Sequence, residues 1–152
     1  MSISATPPTP SDPLLGLLLR LANQHWATEI DAALSDAGFD GIRPAHAGVF
    51  PFVDEDGTPV SELARRARVR KQTMREAVED LERLGYVERR PNPADRRSRL
   101  VFLTARGEAV RPVTHRAGRA VEERWGEQIG ERRLGEVRAG LVALLESLAG
   151  PA

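Results

Sequence analysis

Apolar residues recur every three or four positions near the beginning of the chain, which places them on one face of a helix. They are Leu15, Leu18, Ala22, Trp26, Ile30 and Ala33. This pattern predicts a helix that has its N-cap at Ser11 or Asp12 and ends near Ala37. A second apolar line on the same helix consists of Leu14, Leu17 and Leu21. Because the helix is apolar on two sides, one side can pack on its own domain and the other needs a partner.

Three shorter helices are predicted in the middle of the chain. The first begins at Pro44 and includes Phe50. The second runs from Glu62 to about Arg68, with Ser61 as its N-cap. A tight turn separates it from the third helix, about Lys71 to Leu84, whose apolar residues share one face.

The apolar pattern then changes from a helical period to that of a β-strand. Residues 86–90 and 99–103 are rich in Val, Tyr, Phe and Leu and are predicted to be two short strands, and residues 91–98 between them form a basic, turn-rich loop. Thr104 caps a long helix that Gly130 ends, and a last apolar stripe predicts a final helix. The fold class is therefore mainly α: a winged helix-turn-helix between N- and C-terminal helices.

Charge is unevenly distributed, although the 152-residue chain has a formal net charge of zero. Between Ser61 and Arg111 there are 14 basic and 8 acidic residues, a surplus of six positive charges that the rest of the chain balances. A basic segment beside an acidic remainder is typical of a DNA-reading module attached to another surface.

The composition excludes several classes of function. The absence of cysteine removes disulfides, thiolate zinc sites and thiol redox chemistry. No apolar run is long enough to span a bilayer, and the N-terminus lacks the basic start of a secretory signal, so we expect a cytoplasmic protein that contacts no membrane. No phosphate-binding loop or histidine set at metal spacing is evident, and we predict neither a metal, nor a cofactor, nor an enzymatic activity.

The third middle helix and the basic loop carry chemistry suited to DNA. A helix fits the major groove, where glutamine and arginine side chains can bind purine edges and a threonine methyl can pack on thymine. Arginines on a loop can reach phosphates or the minor groove. The predicted DNA-binding residues are Arg70, Lys71, Gln72, Thr73, Arg75, Glu76, Asp95, Arg96, Arg97 and Arg99.

Five segments resemble the multiple-antibiotic-resistance regulator (MarR) family. They are Val60–Ala64, Val69–Met74, Leu81–Arg89, Pro91–Arg99 and Leu103–Gly107. The motif-rich part covers about residues 42 to 110. The resemblance implies a triangular homodimer that reads a palindromic operator on double-stranded DNA. It also implies release from DNA when a small aromatic or phenolic effector enters the cleft between the winged domain and the dimer helices.

The resemblance assigns parts of the chain and individual residues. It implies a helical dimerisation region at 12–41 and 104–149 and a winged DNA-binding domain at 42–103, while the prolines and small polar residues of 1–11 separately predict a disordered lead. Asp95 and Arg97 match the wing motif of the family, in which the aspartate orients wing arginines. Two departures stand out: Arg70 replaces the usual Ser or Thr cap, and Glu76 adds negative charge to the recognition helix.

Five residues of the first two helices are candidates for an effector cleft. They are His25, Trp26, His46, Phe50 and Phe52. The alternative is that the aromatic residues pack in the core and the histidines lie on the surface. A zinc site built from the three histidines would need scattered residues to converge, and their spacing does not support it.

Two other functions remain open at this point. A winged helix can serve as a protein-interaction module that never contacts DNA, and a helical protein can bind or convert a small molecule. Replacement of Arg96 and Arg97 by alanine would separate the first alternative from DNA binding. Salt-sensitive DNA affinity would argue against the second.

Overall fold

The computed structural model describes residues 10–150, which form five α-helices, a short 3₁₀ turn and three β-strands within that range. The helices are α1 (Leu15–Asp36), α2 (Val60–Ala67), α3 (Lys71–Arg83), α4 (Ala105–Ile129) and α5 (Glu131–Leu148). The 3₁₀ turn is Pro44–His46, and the strands are β1 (Thr58–Pro59), β2 (Val87–Asn92) and β3 (Asp95–Leu103). This mainly helical architecture with a small antiparallel sheet confirms the predicted fold class.

The sheet has the order β1-β3-β2, with both pairs antiparallel. Val87 pairs with Leu103 and Arg90 with Leu100, so β2 and β3 form an antiparallel hairpin. Thr58 pairs with Val101, which joins the segment before α2 to the hairpin. The sheet therefore fixes the hairpin relative to the helix-turn-helix.

The core lies beneath α3, where Leu63, Val78, Leu81, Tyr86 and Val101 are fully buried. Apolar residues on one face of α2 and α3 meet the inner side of the sheet and the first turns of α4. Burial of this face is the main source of stability for helices as short as α2. It leaves the opposite face of α3 exposed.

Helices α1 and α4 pack against each other, beginning at the core, to which Leu34 and Val110 belong, and continuing beyond it. The rings of Trp26 and Trp125 lie 5.9 Å apart, and a Cβ atom on Gly118 would lie only 2.9 Å from Trp26 Cη2. The glycine therefore admits the indole between the two helices. Helix α5 follows Gly130, which has a φ of 93°, and none of its residues is buried within the chain.

The segment between α1 and the 3₁₀ turn is anchored along α3. The Tyr86 hydroxyl donates to the Asp40 carbonyl oxygen at 2.9 Å, and Gly41, with a φ of 84°, lies against Leu84. Arg43 and His46 continue the contact toward the middle of α3 through Asp80. This arrangement ties the N-terminal helix to the helix-turn-helix.

Several predicted element boundaries were wrong. Helix α1 begins at Leu15 after a Leu14 N-cap, so Ser11 and Asp12 do not cap it. The helix predicted to include Phe50 is only the 3₁₀ turn at Pro44–His46, followed by turns. Ser61 lies inside α2, whose N-cap is Pro59, because the preceding residues form strand β1, which was not predicted.

The helix ends were predicted more accurately. The Thr104 side chain accepts a hydrogen bond from the Gly107 N–H, which confirms Thr104 as the N-cap of α4. Gly85 has a φ of 82° just after α3, and Gly130 separates α4 from α5. The predicted disordered lead falls mostly on residues 1–9, outside the described part of the chain. No described helix is both long and apolar enough to cross a membrane.

Candidate nucleic-acid interface

Helix α3 has one buried and one exposed face. Met74, Ala77, Val78 and Leu81 are buried in the core. The exposed face begins at the first turn and carries the side chains predicted to read DNA: Lys71, Gln72, Thr73, Arg75 and Glu76. The two faces follow from the 3.6-residue period, because residues 74, 77, 78 and 81 recur on one side. The polar face can therefore contact a DNA groove while the buried face stays in the core.

The first turn of α3 is held without a side-chain cap. Arg70 is the N-cap residue and makes no side-chain capping bond, while its carbonyl oxygen accepts from the Met74 N–H at 3.0 Å. The Gln72 amide nitrogen donates to Glu76 Oε1 at 3.1 Å. Glu76 thus orients the Gln72 amide along the exposed face, although its negative charge is repelled by phosphate.

The turn before α3 contains the only residue other than glycine with a positive φ in the described chain. Arg68 has φ 55° and ψ 41°, and it ends α2 through bonds from its N–H to the Ala64 and Arg65 carbonyl oxygens. Its guanidinium also donates to the Leu145 carbonyl oxygen at 3.1 Å. The left-handed residue reverses the chain within a few residues and so sets the angle between α2 and α3.

The basic loop predicted at residues 91–98 is mostly strand. Asn92 pairs with Asp95, so the connection between β2 and β3 is reduced to Pro93 and Ala94. The Asn92 side chain accepts from the Ala94 N–H and donates to the Ser98 hydroxyl oxygen, both at 3.0 Å. These bonds close the hairpin locally, which the alternation of apolar residues could not indicate.

The wing arginines are placed differently from one another. Arg96 and Arg97 are exposed near the tip of the hairpin, whereas Arg99 donates to the Arg89 carbonyl oxygen at 3.0 Å. The Asp95 carboxylate accepts from the backbone N–H of Arg97 at 3.0 Å and so holds the hairpin backbone. Arg90, which the sequence did not single out, stacks over the Phe102 ring at 4.3 Å.

An ion pair joins α3 to the wing. Arg89 on β2 donates to Glu82 on α3 at 2.9 Å and 3.2 Å, a paired geometry of two N–H groups on one carboxylate. This hydrogen bonding lowers the pKa of Glu82. Paired arginine–carboxylate contacts constrain orientation as well as distance. Helix α3 and the hairpin are therefore held in a fixed relation.

A cavity of about 560 Å³ lies between α1, α4 and the segment that leads into the winged part. Trp26, Ile30 and Leu34 line it from α1, and Val110 and Thr114 from α4. Its remaining wall includes Ile42, Arg43, Pro44, Ala47, Phe50 and Arg111. Such a mainly apolar space with a few polar groups suits a small organic molecule.

The five predicted effector residues do not all meet at this cavity. Trp26 and Phe50 line it. His25 stacks on Trp125 at 5.9 Å, and Phe52 packs against the core. His46 is buried, and its Nε2 lies 3.3 Å from Asp80 Oδ2 beside a smaller depression that Arg43 and Pro44 also border.

The sequence interpretation missed the polar residues of the cavity wall. Arg111 donates to the Phe50 carbonyl oxygen at 3.0 Å and to the Val53 carbonyl oxygen at 2.5 Å, and so fastens α4 to the loop beyond the 3₁₀ turn. Thr114 and Val110 lie one helical turn apart on the same wall, and that spacing was the available signal.

The fold and this exposed, hairpin-flanked helix define a winged-helix protein. The sequence profile of the MarR family matches residues 40–98. A curated relative, the transcriptional regulator HosA of Escherichia coli O111:H-, is 33% identical over 120 residues, which cover 76% of this chain and 83% of HosA. The chain therefore belongs to the MarR family, and the family and the HosA relatives are transcriptional regulators, not enzymes.

Solved structures agree with this assignment. The crystal structure of MarR superposes with a TM-score of 0.72 at 26% identity, over 91% of this chain and 98% of MarR. The S. aureus MepR–DNA complex superposes with a TM-score of 0.73 over 90% of this chain and 99% of that one. At 19% identity the MepR likeness supports the fold alone.

Proposed function

We propose that this protein binds a palindromic DNA operator as a homodimer and represses transcription by competing with RNA polymerase. The observation that carries the proposal is the exposed polar face of α3 beside the exposed arginines Arg96 and Arg97. The protein shares its fold with MepR, which has been solved bound to DNA. DNA as the partner implies action in the cytoplasm.

In this proposal α3 enters the major groove and the hairpin lies along the flanking backbone. Gln72, Thr73 and Arg75 offer donors, acceptors and a methyl group to base edges or phosphates. Arg96 and Arg97 reach phosphates or the minor groove. Arg70, Lys71 and Glu76 border the same face, while Asp95 and Arg99 support the hairpin.

The dimerisation region is proposed to comprise residues 12–41 and 104–149, around a winged domain at 42–103. Helix α5 has no buried residue within the chain, and Val137, Leu145 and Leu148 are at least half exposed. On α1, Leu14 and Leu15 are also more than half exposed. Apolar surfaces of this extent are typical of subunit interfaces. A second copy of the chain would cover them through a two-fold contact.

A small aromatic or phenolic effector is proposed to occupy the 560 Å³ cavity. Trp26 and Phe50 offer aromatic surface, Arg43 and Arg111 offer guanidinium groups, and Thr114 offers a hydroxyl oxygen at the wall. To release DNA, the effector must bind more tightly to the conformation that cannot span the operator.

Fluorescence anisotropy with the labelled DNA upstream of the protein's own gene tests the central proposal. We expect preference over scrambled DNA and a steep loss of affinity with added salt, since lysine and arginine contacts displace counterions. Failure to bind at low salt would contradict DNA reading and favour a protein-interaction module. Sedimentation of the same sample should give a dimer.

A double variant sharpens the test. Arg96→Ala with Arg97→Ala should weaken operator binding and reduce the slope of log affinity against log salt by about 2, about one for each lost phosphate contact. The matched control is Arg116→Ala with Arg119→Ala, which removes two exposed arginines from α4. An equal loss in both variants would indicate nonspecific attraction instead of a wing contact.

A further inference from the structure

The segment Arg43–His46 separates two spaces in the molecule. On one side, Arg43 and Pro44 line the 560 Å³ cavity together with α1 and α4. On the other side, the same two residues border a smaller depression whose opposite wall is α3, with Thr73, Glu76 and Asp80. The segment Arg43–His46 therefore lies between the cavity and the helix proposed to read DNA.

Asp80 holds this segment against α3. The Arg43 guanidinium donates to Asp80 Oδ2 at 2.6 Å, and His46 Nε2 lies 3.3 Å from the same oxygen. Arg83, one turn further along α3, contacts Oδ1. The Asp80 carboxylate thus receives cations from its own helix and from the cavity wall at the same time.

His46 is built into this contact. Its side chain is 1% exposed, and its Nδ1 accepts from the Arg43 backbone N–H at 3.0 Å. The single proton of a neutral ring is therefore on Nε2, where it donates to Asp80. Burial, and to a lesser degree Arg43, lowers the pKa of His46, which keeps the ring in this neutral form.

We propose that Asp80 is the positioning residue of α3, and that its bonds to Arg43 and His46 transmit occupancy of the cavity to the DNA-reading helix. The proposal rests on the DNA binding proposed above. A group bound in the cavity contacts its Arg43–Pro44 wall, and a group that exceeds the free space there displaces that wall toward α3. The Asp80 bonds convert that displacement into movement of α3.

The test replaces the unidentified effector by a side chain. Ala27 lies on α1 and lines the cavity, so Ala27→Phe places a ring where an effector would lie. We expect this variant to bind the operator about tenfold more weakly, within the usual range of coupling between sites. In an Asp80→Asn background, which keeps an acceptor for His46 but removes the charge that pairs with Arg43, the added ring should change affinity less than twofold.

The matched control is Glu79→Gln, which makes the same charge change on the neighbouring, exposed residue of α3. In that background Ala27→Phe should keep its full tenfold effect. Asp80→Glu should restore the response, because it restores the carboxylate. Melting temperature and sedimentation show whether each variant folds and dimerises, and Ala27→Leu replaces Ala27→Phe if the larger ring prevents folding.

The outcomes separate this proposal from the proposed function. If the unmodified protein does not bind DNA, the proposed function fails. If it binds DNA but the cavity-filling variant binds equally well, the coupling is overturned. If that variant weakens binding by the same factor with and without the Asp80 carboxylate, the displacement reaches α3 by another route and Asp80 is not the positioning residue.

Discussion

Gly107, in the first turn of α4, lies so close to the carbonyl oxygen of Tyr86 that a Cβ atom would overlap it. The same carbonyl oxygen accepts from the Thr104 N–H at 3.1 Å, and the Thr104 hydroxyl donates to the Gly85 carbonyl oxygen at 2.6 Å. The start of α4 is thus docked directly on the base of the wing. This junction connects the winged part to the long helix that follows it.

Replacement of this glycine should destabilise the protein. Gly107→Ala forces the α4 start away from Tyr86, and overpacking of this kind costs about 1–3 kcal/mol. Gly135→Ala is the control, since it lies in α5, where an added Cβ atom would meet nothing within 4 Å beyond its sequence neighbours and the backbone of its own helix. There alanine should stabilise the helix by up to about 1 kcal/mol. Urea unfolding measures both; a stable Gly107→Ala would contradict the docked geometry.

Glycine and alanine should rank in opposite order of stability at Arg68 and at Arg65. Arg68→Gly should be more stable than Arg68→Ala by about 1–2 kcal/mol, because the left-handed backbone penalises any Cβ atom. Both variants lose the bond to the Leu145 carbonyl oxygen, so the comparison isolates the backbone. At Arg65, inside α2, alanine should instead be the more stable by about 1 kcal/mol. Thermal unfolding of the four variants checks the pattern.

Acid should weaken the protein through Glu62. Hydrogen bonds from Arg65 and then Arg66 lower its pKa from 4.5 to about 2. Because the folded-state pKa lies below the unfolded one, the stabilisation is present above pH 4.5 and is lost as the pH falls toward 2. Glu62→Gln should therefore be less stable near neutral pH, and its deficit should shrink in acid. Glu127→Gln, on the exposed side of α4, is the comparison in denaturant titrations at each pH.

Gln72 should contribute to sequence preference more than to general affinity. Its amide is oriented by Glu76 on the exposed face of α3, and a paired contact with a base is worth about 1–3 kcal/mol. Gln72→Ala should therefore weaken operator binding and leave binding to scrambled DNA nearly unchanged. Gln128→Ala, on α4, should affect neither. Parallel anisotropy titrations with the operator and with scrambled DNA measure both affinities. Equal losses on the two DNAs would indicate that Gln72 contacts the phosphate backbone and not a base.

Much of the fold could be predicted from the chain because the relevant signals are local. The four buried residues of α3 recur at helical spacing, and Thr104 and Gly130 carry the chemistry of helix ends. Short elements were predicted less well. Strand β1 has only two residues, and its pairing partner Val101 lies more than 40 positions away, so no local pattern could indicate it.

The candidate site was likewise predictable only in part. The order of the five α-helices, the exposed face of α3 and the exposure of Arg96 and Arg97 could be predicted from the chain, since each depends on periodicity or on composition within a few residues. Long-range packing places Trp26 and Phe50 at one cavity and His46 against Asp80, which no local pattern could indicate. The reason is physical: a cavity wall and a buried hydrogen bond join groups brought together by packing, and sequence spacing does not encode that distance.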